Sequence, residues 1–487
     1  MKNIAKKSII TVSIFACVLG VSYYIVIPAI KIASIKHIIY EIPKLPGFEG
    51  STVVVEAKYE DSKNSIISQN TAVPIHPGSN YKLLTAAASL YYLTPDFTFK
   101  TNFYILKSGG KEHLIIEGYG DPTFHWEDIQ AMALKIKQAN VHITGNIYYD
   151  DRFFNGEQYG PNWKEEWKSI HYAVPISALQ IDDNILYIQG KGSTVKKNLH
   201  TQTAALQNYP SIIDHRALVD HGEPYKISAT MSDKNIITLE GETSGDNDFT
   251  TSTNIQNPSL DTAEVFKQEL VALGVANNQT SVLPLTESTL PTQVTTKKLI
   301  YQYVSAPLSD IIKKMLTFSK NNYGETLIRV LGEEKNKISQ AHGSQAKGVE
   351  LLQKFLTTEV KIEPEDFIGL DGSGMSPSSR ITGRAIIQLF EYINKQRWKE
   401  LFWSALPTSN NEGTLRYRFL SAQITDQVIA KTGTHDFASS LSGKIPRTHD
   451  TILFSIHIFN HHIPSEYTGI TVHPVIDTIV KLLDERL

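Results

Sequence analysis

The chain has 487 residues, 41% of them hydrophobic and 20% charged, which is ordinary globular material and length enough for roughly two to three domains. Lys+Arg 47 against Asp+Glu 50 leaves a formal net charge of -3, and without a basic excess the composition gives no support to a nucleic-acid partner. Cys17 is the sole cysteine, which excludes an intramolecular disulfide and suits an oxidising compartment.

Lys2, Lys6 and Lys7 precede an apolar run from about Ile9 to Ile30, closed by Lys31. At about 20 residues the run can span a bilayer, whereas a cleaved secretory segment carries about 7 to 15 apolar residues. Residues 1–31 therefore read as an uncleaved signal anchor, held in the cytoplasmic membrane by residues 9–30. The basic flank lies N-terminal, so the positive-inside rule puts the remaining chain in a periplasmic or other extracytoplasmic space. A long cleaved signal peptide and a lipoprotein signal at Cys17 are the alternatives. Phe15 is bulky for a lipoprotein cleavage point, and Val18 to Ile30 stays apolar beyond the cysteine.

Residues 31–50 carry Ile, Lys and Pro without clear period and read as a connector. Leu83, Leu84, Ala87, Leu90 and Tyr91 then recur at helical spacing, predicting a helix from near Ser79 to about Leu93. Phe103–Leu106 and Leu114–Ile116 flank Gly109 and Gly110 as a hairpin. Up to about residue 300, short strands (Val141–Tyr149, Asn184–Gln189, Tyr225–Ala229, Asn235–Leu239) alternate with polar loops and with amphipathic helices at Trp126–Lys137 and Thr262–Leu273. Long helices return from about residue 307, followed by strands at Gln427–Lys431 and Thr451–Phe459 and a terminal helix from about Val475. The expected fold is α/β (α+β): one domain built from both ends of the chain, with a strand-rich insertion between.

Three short segments carry candidate chemistry. Ser79 and Lys82 stand in a Ser-x-x-Lys spacing on the first turn of a predicted helix, so the amine reaches the hydroxyl. A serine needs such a base, and lysine serves when burial or a second cation lowers its pKa. Ser319-Lys320-Asn321 occupies a polar break between two helices, where a hydroxyl and an amide two residues apart face one cleft. Lys431-Thr432-Gly433-Thr434 ends a β-like run; Gly433 clears space for an extended peptide at the strand edge, and Lys431 with Thr434 suits a terminal carboxylate. Singly these spacings are commonplace: Ser108, Ser193 and Ser344 also begin Ser-x-x-Lys, and Ser62, Ser68, Ser252 and Ser409 begin Ser-x-Asn. Lys-Thr-Gly-Thr occurs once, and the ordered set is the informative feature.

In that order the motifs resemble those of penicillin-binding proteins and serine β-lactamases. The flanking segments Gly118-Tyr-Gly-Asp-Pro-Thr123, Tyr149-Asp-Asp-Arg-Phe153, Asp371-Gly-Ser-Gly-Met-Ser376 and Gly413-Thr-Leu415 narrow the resemblance to the class C low-molecular-mass penicillin-binding proteins, the D-alanyl-D-alanine carboxypeptidase/endopeptidase family. The resemblance implies a β-lactamase/transpeptidase-like domain over 45–105 and 300–487, with an antiparallel sheet flanked by helices, and inserted domains over 106–299. It implies Ser79 as acylated nucleophile, Lys82 as its base, Ser319 and Lys431 in a proton relay, Asn321 on the substrate amide, and Thr432, Gly433 and Thr434 along the bound peptide. Peptidoglycan stem peptide as substrate, β-lactams as inhibitors, and no metal or cofactor are the expected partners. Asp121 and Asp150 are expected as structural turn residues. A β-lactamase of the same fold and a catalytically silent wall-binding homologue are the rivals; no Glu-x-x-x-Asn segment lies between Lys82 and Ser319 to favour the first. His76-Pro-Gly and Gly324 depart from the family pattern, as does Lys320, whose charge is expected to disfavour the ammonium forms of Lys82 and Lys431.

Overall fold

The computed structural model describes residues 27–154, 156–191, 194–196, 212–220, 226–231, 236–243, 248–334, 345–419, 427–464 and 467–486. Residues 9–26 of the expected anchor lie outside these, and among the described residues no helix is long and apolar enough to cross a membrane.

The expected connector over 31–50 is largely helical instead, with a helix at Ile27–Glu41 and a further turn at Ile42–Lys44. Ile35, Ile39 and Ile42, spaced four and three apart, are buried in one core with Phe48. Lys31, Lys36 and His37 interrupt the run in sequence, so the short apolar stripe shows only when wrapped at helical period.

A five-stranded antiparallel sheet joins the two ends of the chain. Its order is Ile429–His435, Ala438–Pro446, Thr451–Phe459, Thr52–Tyr59, Ser65–Gln69. The register runs from Thr52 opposite Phe459 to Tyr59 opposite Ile452. Val53, Val55, Phe454, Ile456 and Ile458 pack with Ile35, Ile39 and the terminal helix Thr468–Arg486. The helix Gly383–Ile393 lies against Thr52–Tyr59 and Thr451–Phe459. With it, the helices Lys82–Leu93, Leu308–Phe318, Asn321–Glu334 and Gln345–Phe355 form the second large core. The strand Ala438–Pro446 was not expected, because Ser439, Ser440 and Ser442 give it a polar sequence; all three are buried.

A second five-stranded sheet has the order Val282–Pro284, Ile147–Asp150, Lys111–Gly118, Thr98–Ser108, Val294–Pro307. Helices Trp126–Gln138 and Pro258–Ala272 cover it through Phe103, Leu114, Ile116, Ile129, Met132 and Phe266. The hairpin register sets Phe103 opposite Ile116 and Ile105 opposite Leu114. Of the strand expected over Val141–Tyr149, only Ile147–Asp150 joins the ladder. The Ile143 N–H goes to the Val275 carbonyl and that of Gly145 to the Glu112 carbonyl, so this lead-in is tied to loops. Two three-stranded sheets complete the region, one from Ile212–Asp220, Ile236–Thr243 and Lys226–Met231, the other from Asp248–Asn254, Ile185–Lys191 and Thr194–Lys196.

Candidate active site

The nucleophile candidate sits where a tight turn feeds a helix. Gly78–Tyr81 forms a 3-10 turn that runs into the helix Lys82–Leu93. Gly78 has φ +51°, and a Cβ there would fall 2.8 Å from the Thr434 nitrogen. Only glycine combines that backbone conformation with so close an approach. The turn is thereby seated on the edge strand Ile429–His435, and Ser440 Oγ donates to the Pro77 carbonyl at 2.8 Å.

Lys82 is fully buried beneath the half-buried Ser79. Its Nζ donates to Ser79 Oγ at 2.8 Å, to Asn321 Oδ1 at 2.5 Å and to the Ser373 carbonyl at 3.0 Å. All three acceptors are uncharged. Burial therefore dominates and brings the amine down to about 7, against the opposing pull of the Asp371 and Glu325 carboxylates. Those carboxylates build the loop that supplies the Ser373 carbonyl. Glu325 accepts from the Gly372 and Ser373 amides at 3.0 and 2.9 Å, and buried Arg329 donates to it at 3.3 Å. Asp371 accepts from the Gly374 and Ser376 amides and from Trp163 Nε1, and burial with the neighbouring Glu325 pushes it up to about 7. Gly324 permits this packing, since a Cβ on it would lie 2.7 Å from the Gly372 carbonyl oxygen.

Ser319 caps the helix Leu308–Phe318 in a left-handed conformation, φ 60° and ψ 35°. That reversal presents its Oγ to Lys431 Nζ at 2.8 Å; Lys431 also donates to the Thr432 carbonyl at 2.9 Å. Lys431 is fully buried, and burial with the nearby Lys82 holds its amine well below the usual lysine value. Asn321, besides accepting from Lys82, donates to the Tyr172 carbonyl at 2.8 Å. Thr432 Oγ1 donates to Thr414 Oγ1 at 3.0 Å. Gly433 lies against the nucleophile turn, where a Cβ would fall 2.4 Å from the Pro77 oxygen, and Thr434 is exposed at the strand edge.

Ser79, Ser319, Asn321 and Thr434 line one cleft of about 400 Å³. Of its other walls, Gly374 and Met375 lie in the Asp371–Ser376 segment that carried the resemblance, whereas sequence reasoning missed Trp167, Tyr172, His435 and Asp436. Trp167 and Tyr172 come from the intervening region, and no motif spacing announces them. The expectation for Lys320 needs correction. Its Nζ turns to Asp183 Oδ2 at 2.6 Å, and Asn322 donates to the same carboxylate at 3.1 Å. Its charge is therefore partnered, and the depression of Lys82 and Lys431 has other causes. Asp121 and Asp150 hold local turns, the first through the Thr123 amide and hydroxyl, the second through Arg152.

Comparison with known proteins gives matches along most of the chain. The model of the D-Ala-D-Ala carboxypeptidase 3 (S13) family matches residues 32–472. A D-alanyl-D-alanine carboxypeptidase of Actinomadura sp. (strain R39) is 26% identical over 439 residues, covering 86% of this chain and 79% of the relative. The D-alanyl-D-alanine carboxypeptidase DacB of Haemophilus influenzae is 26% identical over 421 residues, covering 82% and 83%. Among solved structures, penicillin-binding protein 4 of Haemophilus influenzae superposes with a TM-score of 0.77 at 22% identity, covering 93% of this chain and 98% of that one. The same protein has been solved complexed with a β-lactam.

Proposed function

The chain belongs to the D-Ala-D-Ala carboxypeptidase 3 (S13) family, and from that premise we propose that Ser79 and Lys82 carry its DD-peptidase reaction. The enzyme is a serine-type D-alanyl-D-alanine peptidase acting on the stem peptides of the cell wall. One observation carries the residue assignment: Lys82 Nζ lies 2.8 Å from Ser79 Oγ and is buried, with no acidic partner within bonding distance among the described residues.

The peptide lies extended along the open edge of Ile429–His435, its terminal carboxylate held by Lys431 and the hydroxyls of Thr432 and Thr434. Lys82 in its neutral form takes the Ser79 proton as Oγ attacks the carbonyl of the penultimate D-alanine. The oxyanion is met by the backbone N–H groups of Ser79 and Thr434, which the Gly78 contact brings together. Asn321 donates to the substrate amide once the peptide displaces its bond to the Tyr172 carbonyl. The proton that Lys82 took from Ser79 passes to the leaving D-alanine amine through the Ser319 hydroxyl, which Lys431 holds at 2.8 Å, so that both lysines end the step in the form in which they began it. Water then hydrolyses the ester and regenerates Ser79.

The division of the chain is also a proposal: a catalytic unit over 45–105 and 300–487 and an inserted unit over 106–299. The second sheet refines its limits, because the strands Thr98–Ser108 and Val294–Pro307 pair with each other. The catalytic unit then ends near Phe97 and resumes at Leu308. Wall peptide lies outside the cytoplasm, and the apolar run 9–30 would hold the enzyme at the membrane surface there. Helix Ile27–Glu41, packed on the catalytic core, would keep the unit close to the bilayer.

Incubating the purified protein with a stem pentapeptide tests the function. Release of one D-alanine, lost in Ser79→Ala, is expected; equal release by the variant would refute the assignment.

A further inference from the structure

His76 stands three residues before Ser79 and is buried, yet the reaction above leaves it without a role. Its ring touches three segments at the edge of the cleft: the nucleophile turn, the Ser376 loop and the edge strand. Nδ1 accepts the Gly78 N–H at 3.0 Å, within the nucleophile turn. Nε2 lies 3.0 Å from the Ser376 carbonyl, at the end of the loop whose Ser373 carbonyl holds Lys82. The ring face packs on His435, which follows Thr434 on the edge strand, with centroids 3.8 Å apart and planes 34° from parallel. His435 Nε2 in turn lies 3.1 Å from the Met375 carbonyl, one residue before Ser376.

These contacts fix the protonation state by geometry. A ring nitrogen that accepts a backbone N–H carries no hydrogen, so the proton sits on Nε2 and donates to Ser376. An imidazolium would put a hydrogen on Nδ1 facing the Gly78 N–H, and that bond would break.

We propose that His76, as a neutral imidazole protonated on Nε2, is a positioning residue that locks the nucleophile turn to the Ser376 loop and the edge strand. It acts on acylation, because the Gly78 N–H it holds adjoins Ser79, whose own N–H and Oγ both serve that step. In the proposed reaction, ground-state binding of the peptide tail falls to Lys431, Thr432 and Thr434; among the described residues, none of these hydrogen-bonds to the His76 ring. Protonation would release the lock. The groups facing the ring are His435 and Asp436 of the strand end and Arg380, with Lys164 engaging Asp436 at 2.6 Å. Burial and the adjacent His435 hold His76 down to about 3, so the lock stays closed across neutral pH.

The proposal rests on Ser79 being the acylated residue, and its test separates the two. Stopped-flow acylation by a fluorescent penicillin resolves initial binding from the covalent step. His76→Phe retains a ring for the stack and loses both hydrogen bonds; the covalent step is expected to slow about 10- to 100-fold with initial binding changed less than about threefold. In His76→Asn, Oδ1 replaces Nδ1 as acceptor for Gly78 and should recover most of the rate. A His76→Phe variant that is folded and acylates within about twofold of the parent overturns the proposal. So does a loss confined to initial binding. Should His76→Phe fail to fold, nitrogen-15 NMR of the histidine rings in the parent protein decides: Nε2–H on His76 at pH 7 is expected, and Nδ1–H or an imidazolium overturns it. A parent protein that is not acylated at all would strike the assignment of Ser79, while the NMR result would still judge His76.

Discussion

The pH dependence of acylation follows from the burial of Lys82. An ordinary lysine amine titrates near 10.5, and this one is brought down to about 7. The difference is about 3.5 units, or on the order of 5 kcal/mol against the charged form. The neutral fraction is then about 10% at pH 6, 50% at pH 7 and 90% at pH 8. Acylation by a penicillin should therefore rise nearly tenfold per unit below about pH 6 and level off above about pH 8. An unshifted amine would keep the rate climbing to about pH 10. The same shift has a stability consequence of definite sign. Between about pH 7 and 10 the unfolded chain binds the proton and the folded one does not, so the Lys82 contribution to stability rises with pH across that window. Asp371 and Glu325 act on Lys82 in the opposite sense to burial, so Asp371→Asn should move the midpoint of the rate profile towards acid. Lys431 lies close enough to interact with Lys82, and the apparent midpoint belongs to the pair. Pre-steady-state acylation from pH 5 to 10 measures the profile. A rate still rising tenfold per unit between pH 8 and 10 would refute the claim that burial makes Lys82 the base.

Three further perturbations have defined outcomes. Gly78→Ala places a Cβ 2.8 Å from the Thr434 nitrogen at φ +51°; it should cost about 1 to 3 kcal/mol in chemical denaturation and slow acylation more than it weakens initial binding. Arg418 is buried and paired with Asp477 of the terminal helix, so Arg418→Ala leaves a carboxylate without its partner and should cost about 3 to 5 kcal/mol, read as a lowered denaturation midpoint with an unshifted rate profile. Lys320→Ala removes a partly buried pair with Asp183 and should change stability by about 1 kcal/mol; a large rise in the acylation midpoint on removing Lys320 would mean that its charge, after all, reaches Lys82.

The parts of the site legible in the sequence are those in which chemistry and local backbone share a short segment. Ser79 and Lys82 are three residues apart on one turn, and Lys431 to Thr434 is a single strand end, so each stood as a candidate by itself, and the ordered set with its resemblance to the penicillin-binding proteins singled them out from commonplace spacings. Ser319 needed the helix break, and its left-handed conformation is what turns the hydroxyl to Lys431. Trp167 and Tyr172 escaped notice because their place in the cleft depends on how the intervening region folds back, which leaves no period in the chain. The partner of the Lys320 charge is invisible in sequence for the same reason: Asp183 lies 137 residues away. The acid pair Asp371 and Glu325 sits on separate segments, brought together by the close Gly324–Gly372 approach and by the Gly372 and Ser373 amides that donate to Glu325. In the fold, amphipathic helices such as Trp126–Gln138 stood out by period, whereas Ala438–Pro446 hid behind a polar sequence whose serines are buried, two of them bonded to neighbouring segments, Ser440 to Pro77 and Ser442 to Ser455.

Mapping the covalent adduct tests the central claim most directly. After brief reaction with penicillin, intact-mass and peptide mass spectrometry should show one added drug molecule, on the peptide containing Ser79, and none on Ser79→Ala. An adduct on any other serine, or undiminished labelling of the variant, would contradict the account.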